Sequence, residues 1–145
     1  MTRPFRLILA ILAIALAGFA VADERRQIQH LSTGEDPREY IKDKIATHDV
    51  MVFARSYGPH NAEAKNLLKE IQEEINVHVE VVDVDLLPGF DPSLLMHELQ
   101  ELTGQWAFPN IFIGKKHIGG NSELDQLAAL GELHDMLREL SSKDL

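Results

Sequence analysis

Not one of the 145 residues is cysteine. That absence removes disulfides, thiolate nucleophiles and thiolate-held metals from the chemistry open to the chain. Positive charge is scarce too: 14 Lys and Arg stand against 23 Asp and Glu, for a formal net charge of −9. Nucleic acid and anionic membrane surfaces are poor partners for such a chain, because both are held through clustered Lys and Arg. N-glycosylation sequons are missing, since none of Asn61, Asn66, Asn76, Asn110 and Asn121 has Ser or Thr two residues on. Internal repeats and low-complexity segments are absent as well.

What is present suffices for one globular domain, with 45% hydrophobic and 26% charged residues. One long apolar run occurs, "LILAILAIALAGFAVA" at 7–22, behind Arg3 and Arg6 and ending in Ala20-Val21-Ala22. A basic start, an apolar stretch and a small-x-small end read as a secretory signal peptide over 1–22. The run is short for a membrane span, so an uncleaved anchor over 7–22 is the alternative. Cleavage would remove Arg3 and Arg6, taking the net charge from −9 to −11. An oxidising lumen would then hold a chain unable to form a disulfide. Residues 23–34 are a polar lead-in, and 35–145 form the domain. The end "SSKDL" lacks the Glu of a luminal retrieval tail and reads as a frayed helix end.

Within the domain, Asp36-Pro37 is a cap followed by a first-turn residue, opening a helix with Tyr40, Ile41 and Ile45 on one face. "VMVFA" (50–54) is continuously apolar and predicts a strand buried on both sides. "NAEAKNLLKEIQEEI" spaces Ala64, Leu67, Leu68, Ile71 and Ile75 as a helix with a solvated acidic face. "VHVEVVDVD" (77–85) alternates, predicting a strand with Val77, Val79 and Val81 on one side. "DPSLLMHELQELTG" repeats the Asp-Pro start and stops at Gly104, and "PNIFIGKKHIGG" predicts a hairpin around Gly114-Lys115. "SELDQLAALGELHDMLREL" predicts one final helix capped by Ser122. The order is α-β-α-β-α-β-β-α, an α/β fold with a mixed four-stranded sheet and helices on both faces.

Three local patterns then fall in register. "VFARSYGPHNAEAKNLL" resembles the glutaredoxin pattern Phe-Ser-Lys-x-Tyr-Cys-Pro-x-Cys with its following helix. "LTGQWAFPNIFIGKKHIGG" resembles Thr-Gly-x-x-Thr-Val-Pro-x-Val-Phe-Ile-x-x-x-x-Ile-Gly-Gly. "GGNSELDQL" is close to Gly-Gly-x-Ser-Asp-Leu. The resemblance to glutaredoxins covers about residues 36–140 and implies a thioredoxin-like fold and glutathione-dependent disulfide oxidoreduction.

Residue by residue, the resemblance puts Gly58 at the nucleophilic cysteine's place and Asn61 at the resolving cysteine's, with Pro59 retained and His60 between. It implies a glutathione-binding cleft formed by Arg55, Tyr57, Pro59, Phe108, a cis Pro109, Gly120, Asn121, Ser122 and Glu123. Trp106-Ala107 departs from the family's basic-Thr pair, and Glu123 is one methylene longer than the family's Asp. A thiol restored at position 58 is expected to be acid-shifted and reactive.

Thiol–disulfide exchange requires a thiolate that attacks and leaves, and neither glycine nor an asparagine amide can do either. The family's iron–sulfur ligation needs the same missing sulfur. Ser56 has no His or carboxylate placed by sequence to activate it, and the seven His show no short metal-ligand spacing, so no metal site is expected. The expectation is a redox-inactive protein with no required cofactor, at most a binder of glutathione or a thiol-containing peptide or protein. The alternatives are an interaction module on the same fold without ligand and, more weakly, residual catalysis by a non-sulfur route.

Overall fold

A computed structural model describes residues 34–143. The expected leader at 1–22, the lead-in up to residue 33 and the last two residues lie outside the described residues. The elements run α1 (Pro37–Thr47), β1 (Val50–Ala54), α2 (Pro59–Ile75), β2 (Val79–Asp83), α3 (Pro92–Thr103), β3 (Asn110–Ile113), β4 (Lys116–Gly119), α4 (Asn121–Ala129) and α5 (Glu132–Lys143).

Local chemistry explains where the helices begin. The Asp36 carboxylate accepts from the Arg38 and Glu39 amides, and Asp91 accepts from the Ser93 amide, each with proline at the first helical position. These caps satisfy amides that have no partner inside the helix. The α2 start is different, as Gly58 supplies no side-chain cap. The β3–β4 hairpin turns through Gly114 (φ 57°) and Lys115 (φ 68°), two positive-φ residues of the kind a two-residue hairpin needs.

The strands assemble in the order β2-β1-β3-β4, with β1 parallel to β2 and antiparallel to β3, and β3 antiparallel to β4. β1 is central and wholly buried, as its unbroken apolar run requires. Alternation along it feeds two cores. Val50, Val52 and Ala54 meet Ala64, Leu68, Ile71, Leu124, Leu133 and Leu137 on one face. Met51 and Phe53 meet Ile41, Leu95, Leu99 and Phe112 on the other. Full burial of each large apolar side chain is worth roughly 1.5–3 kcal/mol, so these two layers outweigh any cap or surface ion pair in holding the sheet.

Two expectations change. β2 is shorter than 77–85, and Val81 is 39% exposed because β2 is a sheet edge, while Val82 and Val84 enter the second core. The last helix is two helices, not one. Gly131 sits at φ +76°, a left-handed conformation that ends α4 and turns the chain into α5. The apolar spacing of residues 122–140 carries across that break, so periodicity alone does not register it.

Candidate functional site

Strand pairing gathers three segments at one end of the sheet. Phe53 lies opposite Asn110, which sets residues 55–58 beside the peptide before β3. Ile111 lies opposite Gly119, which brings the start of α4 alongside. The Phe108–Pro109 bond between them is cis.

The 55–58 loop is fastened almost group by group. Asn61, buried at 7% exposure, accepts from the Arg55 amide at 3.0 Å and donates through Nδ2 to the Tyr57 carbonyl at 2.9 Å. Lys65 donates to the Arg55 carbonyl at 3.0 Å and pairs with Asp83. Asp85 accepts from the Ser56 amide at 2.8 Å and from the Ser56 hydroxyl. The Ser56 hydroxyl bond holds the Asp85 carboxyl below its usual range despite the opposing effect of desolvation. Ser56 therefore has a carboxylate partner that sequence reasoning missed, yet it donates its proton in a structural bond with no base relay behind it.

Arg55 reaches across this loop. Its guanidinium lies 5.6 Å from the Tyr57 ring centre and 5.0 Å from that of Phe108, and it donates to the Tyr57 hydroxyl at 3.1 Å. A flat cation between two rings is held by their quadrupoles. No carboxylate lies within ion-pair distance of it among the described residues.

Beside Phe108 runs an open groove of about 330 Å³, lined by His60, Gln105, Ala107, Phe108, Pro109, Gly120, Asn121, Ser122 and Glu123. Gln105 braces its floor by donating to the Ala107 and Pro109 carbonyls at 2.7 and 2.9 Å. Asn110, fully buried, donates to Ala107 and accepts from His117 Nε2 at 2.9 Å. Since Asn110 Oδ1 only accepts, His117 carries its proton on Nε2. Burial pushes the His117 pKa down, against the nearby Glu123 charge.

Asn121 donates to Glu63 at 2.8 Å, joining α4 to α2, while its Oδ1 is buried without a partner among the described residues. Glu123 turns back onto the Gly120 amide at 2.8 Å, and that bond holds its carboxyl below the usual range. The α4 N-cap is accordingly Gly120, not Ser122 as its sequence position suggested, because the Glu123 carboxylate does the capping from three residues on.

Known proteins share this arrangement of segments. The glutaredoxin family model matches residues 50–118. Glutaredoxin-1 of Saccharomyces cerevisiae is 35% identical over 103 residues, covering 70% of this chain and 91% of its own. The chain belongs to the glutaredoxin family.

The chloroplastic monothiol glutaredoxin-S12 of Arabidopsis thaliana is 37% identical over 113 residues, 78% of this chain, and this chain spans 60% of its length. A buckwheat glutaredoxin solved as a glutathione complex shares the fold with a TM-score of 0.64 at 24% identity, covering 71% of this chain and 88% of that one.

The structure brings Arg55 into contact with both Tyr57 and Phe108, and places Phe108, Pro109 and 120–123 along the groove. Pro59 opens α2 and is not part of the groove lining. Trp106 is not part of the groove lining and stands 63% exposed. The sequence pattern missed Gln105 and His60 as lining residues; an amide four residues before the Pro109-Asn110 peptide bond was the available signal for Gln105.

Position 58, set by the resemblance at the nucleophilic cysteine's place, is a constrained turn. Gly58 lies at φ +91°, and an added Cβ would stand 3.3 Å from Asn61 Nδ2. A cysteine at 58 would be strained on this backbone, so a restored thiol requires the turn to rearrange. The reactive thiol expected at 58 would therefore have to form at a strained position.

The loop and the groove floor each give a test. Asn61→Ala leaves the Arg55 N–H and the Tyr57 C=O without their partner, and is expected to lower unfolding free energy by about 2 kcal/mol in urea titration; a change below about 0.5 kcal/mol would contradict the bracket. The second test concerns acid. His117 has a folded pKa below its unfolded value, so its contribution is full above about pH 6.5 and is lost as pH falls through the folded pKa. The Glu123 contribution follows the same sign from about pH 4.5 downward. His117→Gln should abolish the higher of the two acid losses in stability and leave the lower one.

Proposed function

We propose that this protein is a glutaredoxin-family binder that holds glutathione, or a related acidic thiol peptide, without turning it over. The observation that carries the reading is Arg55. Its guanidinium is pinned between Tyr57 and Phe108, next to the groove and to the uncapped start of α2. Free amides at a helix start attract an anion, and the guanidinium, whose Nη1 and Nη2 each donate one N–H to Tyr57 Oη and Met96 Sδ, adds its remaining N–H groups and its charge for a carboxylate. The buried, unpartnered Asn121 Oδ1 supplies an acceptor for an N–H on the same side as Ser122.

Loss of redox activity is part of the proposal and rests on atoms. Family exchange requires sulfur attack on a mixed disulfide and sulfur departure as thiolate. Position 58 has no side chain, and the Asn61 amide is occupied on both ends by backbone groups. We also propose passage through the secretory pathway, supported by the basic-apolar-small pattern of residues 1–22.

A second reading is favoured by a separate observation. Tyr57 and Trp106 are 60% and 63% exposed near the groove, and large exposed aromatics suit a protein contact. In that reading the fold is an interaction module and the groove takes no small ligand.

Glutathione titration followed by amide NMR separates them. The binder predicts saturable shifts centred on Arg55, Phe108, Asn121 and Ser122, diminished in Arg55→Ala, with no glutathione-dependent disulfide reduction above a protein-free blank. An unchanged spectrum at millimolar glutathione would favour the interaction module.

A further inference from the structure

At the other end of β1, three side chains from separate parts of the chain converge. His48 follows α1, His78 precedes β2, and the parallel pairing of Val50 with Val79 draws the two together. Glu80 lies two residues beyond His78 and so projects to the same side of the strand. One donor atom from each of the three lies within 4.8 Å of the other two, and the two imidazole centres are 6.2 Å apart.

The surroundings of each group orient it. His48 Nδ1 lies 2.9 Å from the Lys44 carbonyl and 3.1 Å from the Thr47 hydroxyl. A carbonyl only accepts, so Nδ1 holds the ring proton and Nε2 keeps its lone pair. Metal-ligating imidazoles are commonly steered this way, by a carbonyl on the other nitrogen. Glu80 divides its oxygens between Lys44 Nζ at 3.3 Å on Oε1 and His78 Nε2 at 3.4 Å on Oε2. Lys44 thereby fixes the carboxylate and leaves Oε2 facing the imidazole. His78 is largely exposed and Glu80 is 29% exposed, so an ion can arrive from solvent.

We propose that His48, His78 and Glu80 form a zinc-class metal site, separate from the groove. Two imidazoles with one carboxylate suit Zn²⁺ and leave a fourth position for water. Calcium and magnesium are disfavoured, because they seek sets of oxygen ligands. A bound ion would clamp the end of α1 to the edge strand β2 and stabilise that corner against opening. Lys44 and the small ligand number set the affinity below that of a closed four-ligand site. The short-range spacing of histidines in the sequence does not reveal this cluster, because strand pairing creates it.

The test is calorimetric titration of the tag-free full chain with zinc chloride, alongside NMR of the histidine ring nitrogens. The expected result is one-to-one uptake, shifts at His48 and His78, and a raised melting temperature. His78→Ala, at an exposed position, and Glu80→Gln should each weaken uptake about tenfold or more. His97→Ala and His134→Ala should bind as the parent chain does. No uptake at millimolar zinc, undiminished uptake by His78→Ala, or shifts centred on other histidines would overturn the proposal.

Discussion

The amide of Asn61 holds the entrance of this fold together. One buried side chain joins the Arg55 N–H to the Tyr57 carbonyl and so closes the loop between β1 and α2. Inside a protein such a bond is worth little net, about 1 kcal/mol, but its loss strands two polar groups. The other contacts of the site build on that closure. Arg55 can lie between Tyr57 and Phe108 only while its backbone is held. Lys65 and Asp85 fasten the remaining groups of the loop from α2 and from the end of β2. Asn61, which the resemblance sets at the resolving cysteine's place, acts in this structure as a polar bracket.

A glutaredoxin fold can therefore stand with no thiol in it. The two cores on either face of β1 carry the fold, and neither includes positions 58 or 61 as apolar packing. The proposed loss of exchange chemistry would leave these cores untouched. Gly58 takes a left-handed conformation that a side chain would resist, and Glu123 folds onto its own helix start. Both features are compatible with the proposed binding role.

The central layers were the most legible in the sequence. β1 could be read to its boundaries because an unbroken apolar run of strand length suits a strand buried on both faces. The Asp-Pro helix starts were legible because the cap chemistry is local. The break at Gly131 was not, since the apolar spacing continues through it and only the backbone angle reveals the turn. At the site, residues 120–123 and Phe108-Pro109 were placed by resemblance, and the structure gathers them. The Asp85 partner of Ser56 and the His48–His78–Glu80 cluster depend on long-range pairing. No local pattern carries such information, because the contacts join residues brought together only by the folded sheet.

Hydrogen exchange at the Arg55 amide tests the bracket most directly. The loop surrounding it has no regular backbone ladder, so protection there must come from the Asn61 side chain. Slow exchange is expected at Arg55 in the parent chain, comparable to β1, with fast exchange in an Asn61→Ala variant whose β1 amides remain protected. Fast exchange at Arg55 in the parent chain would contradict the bracket.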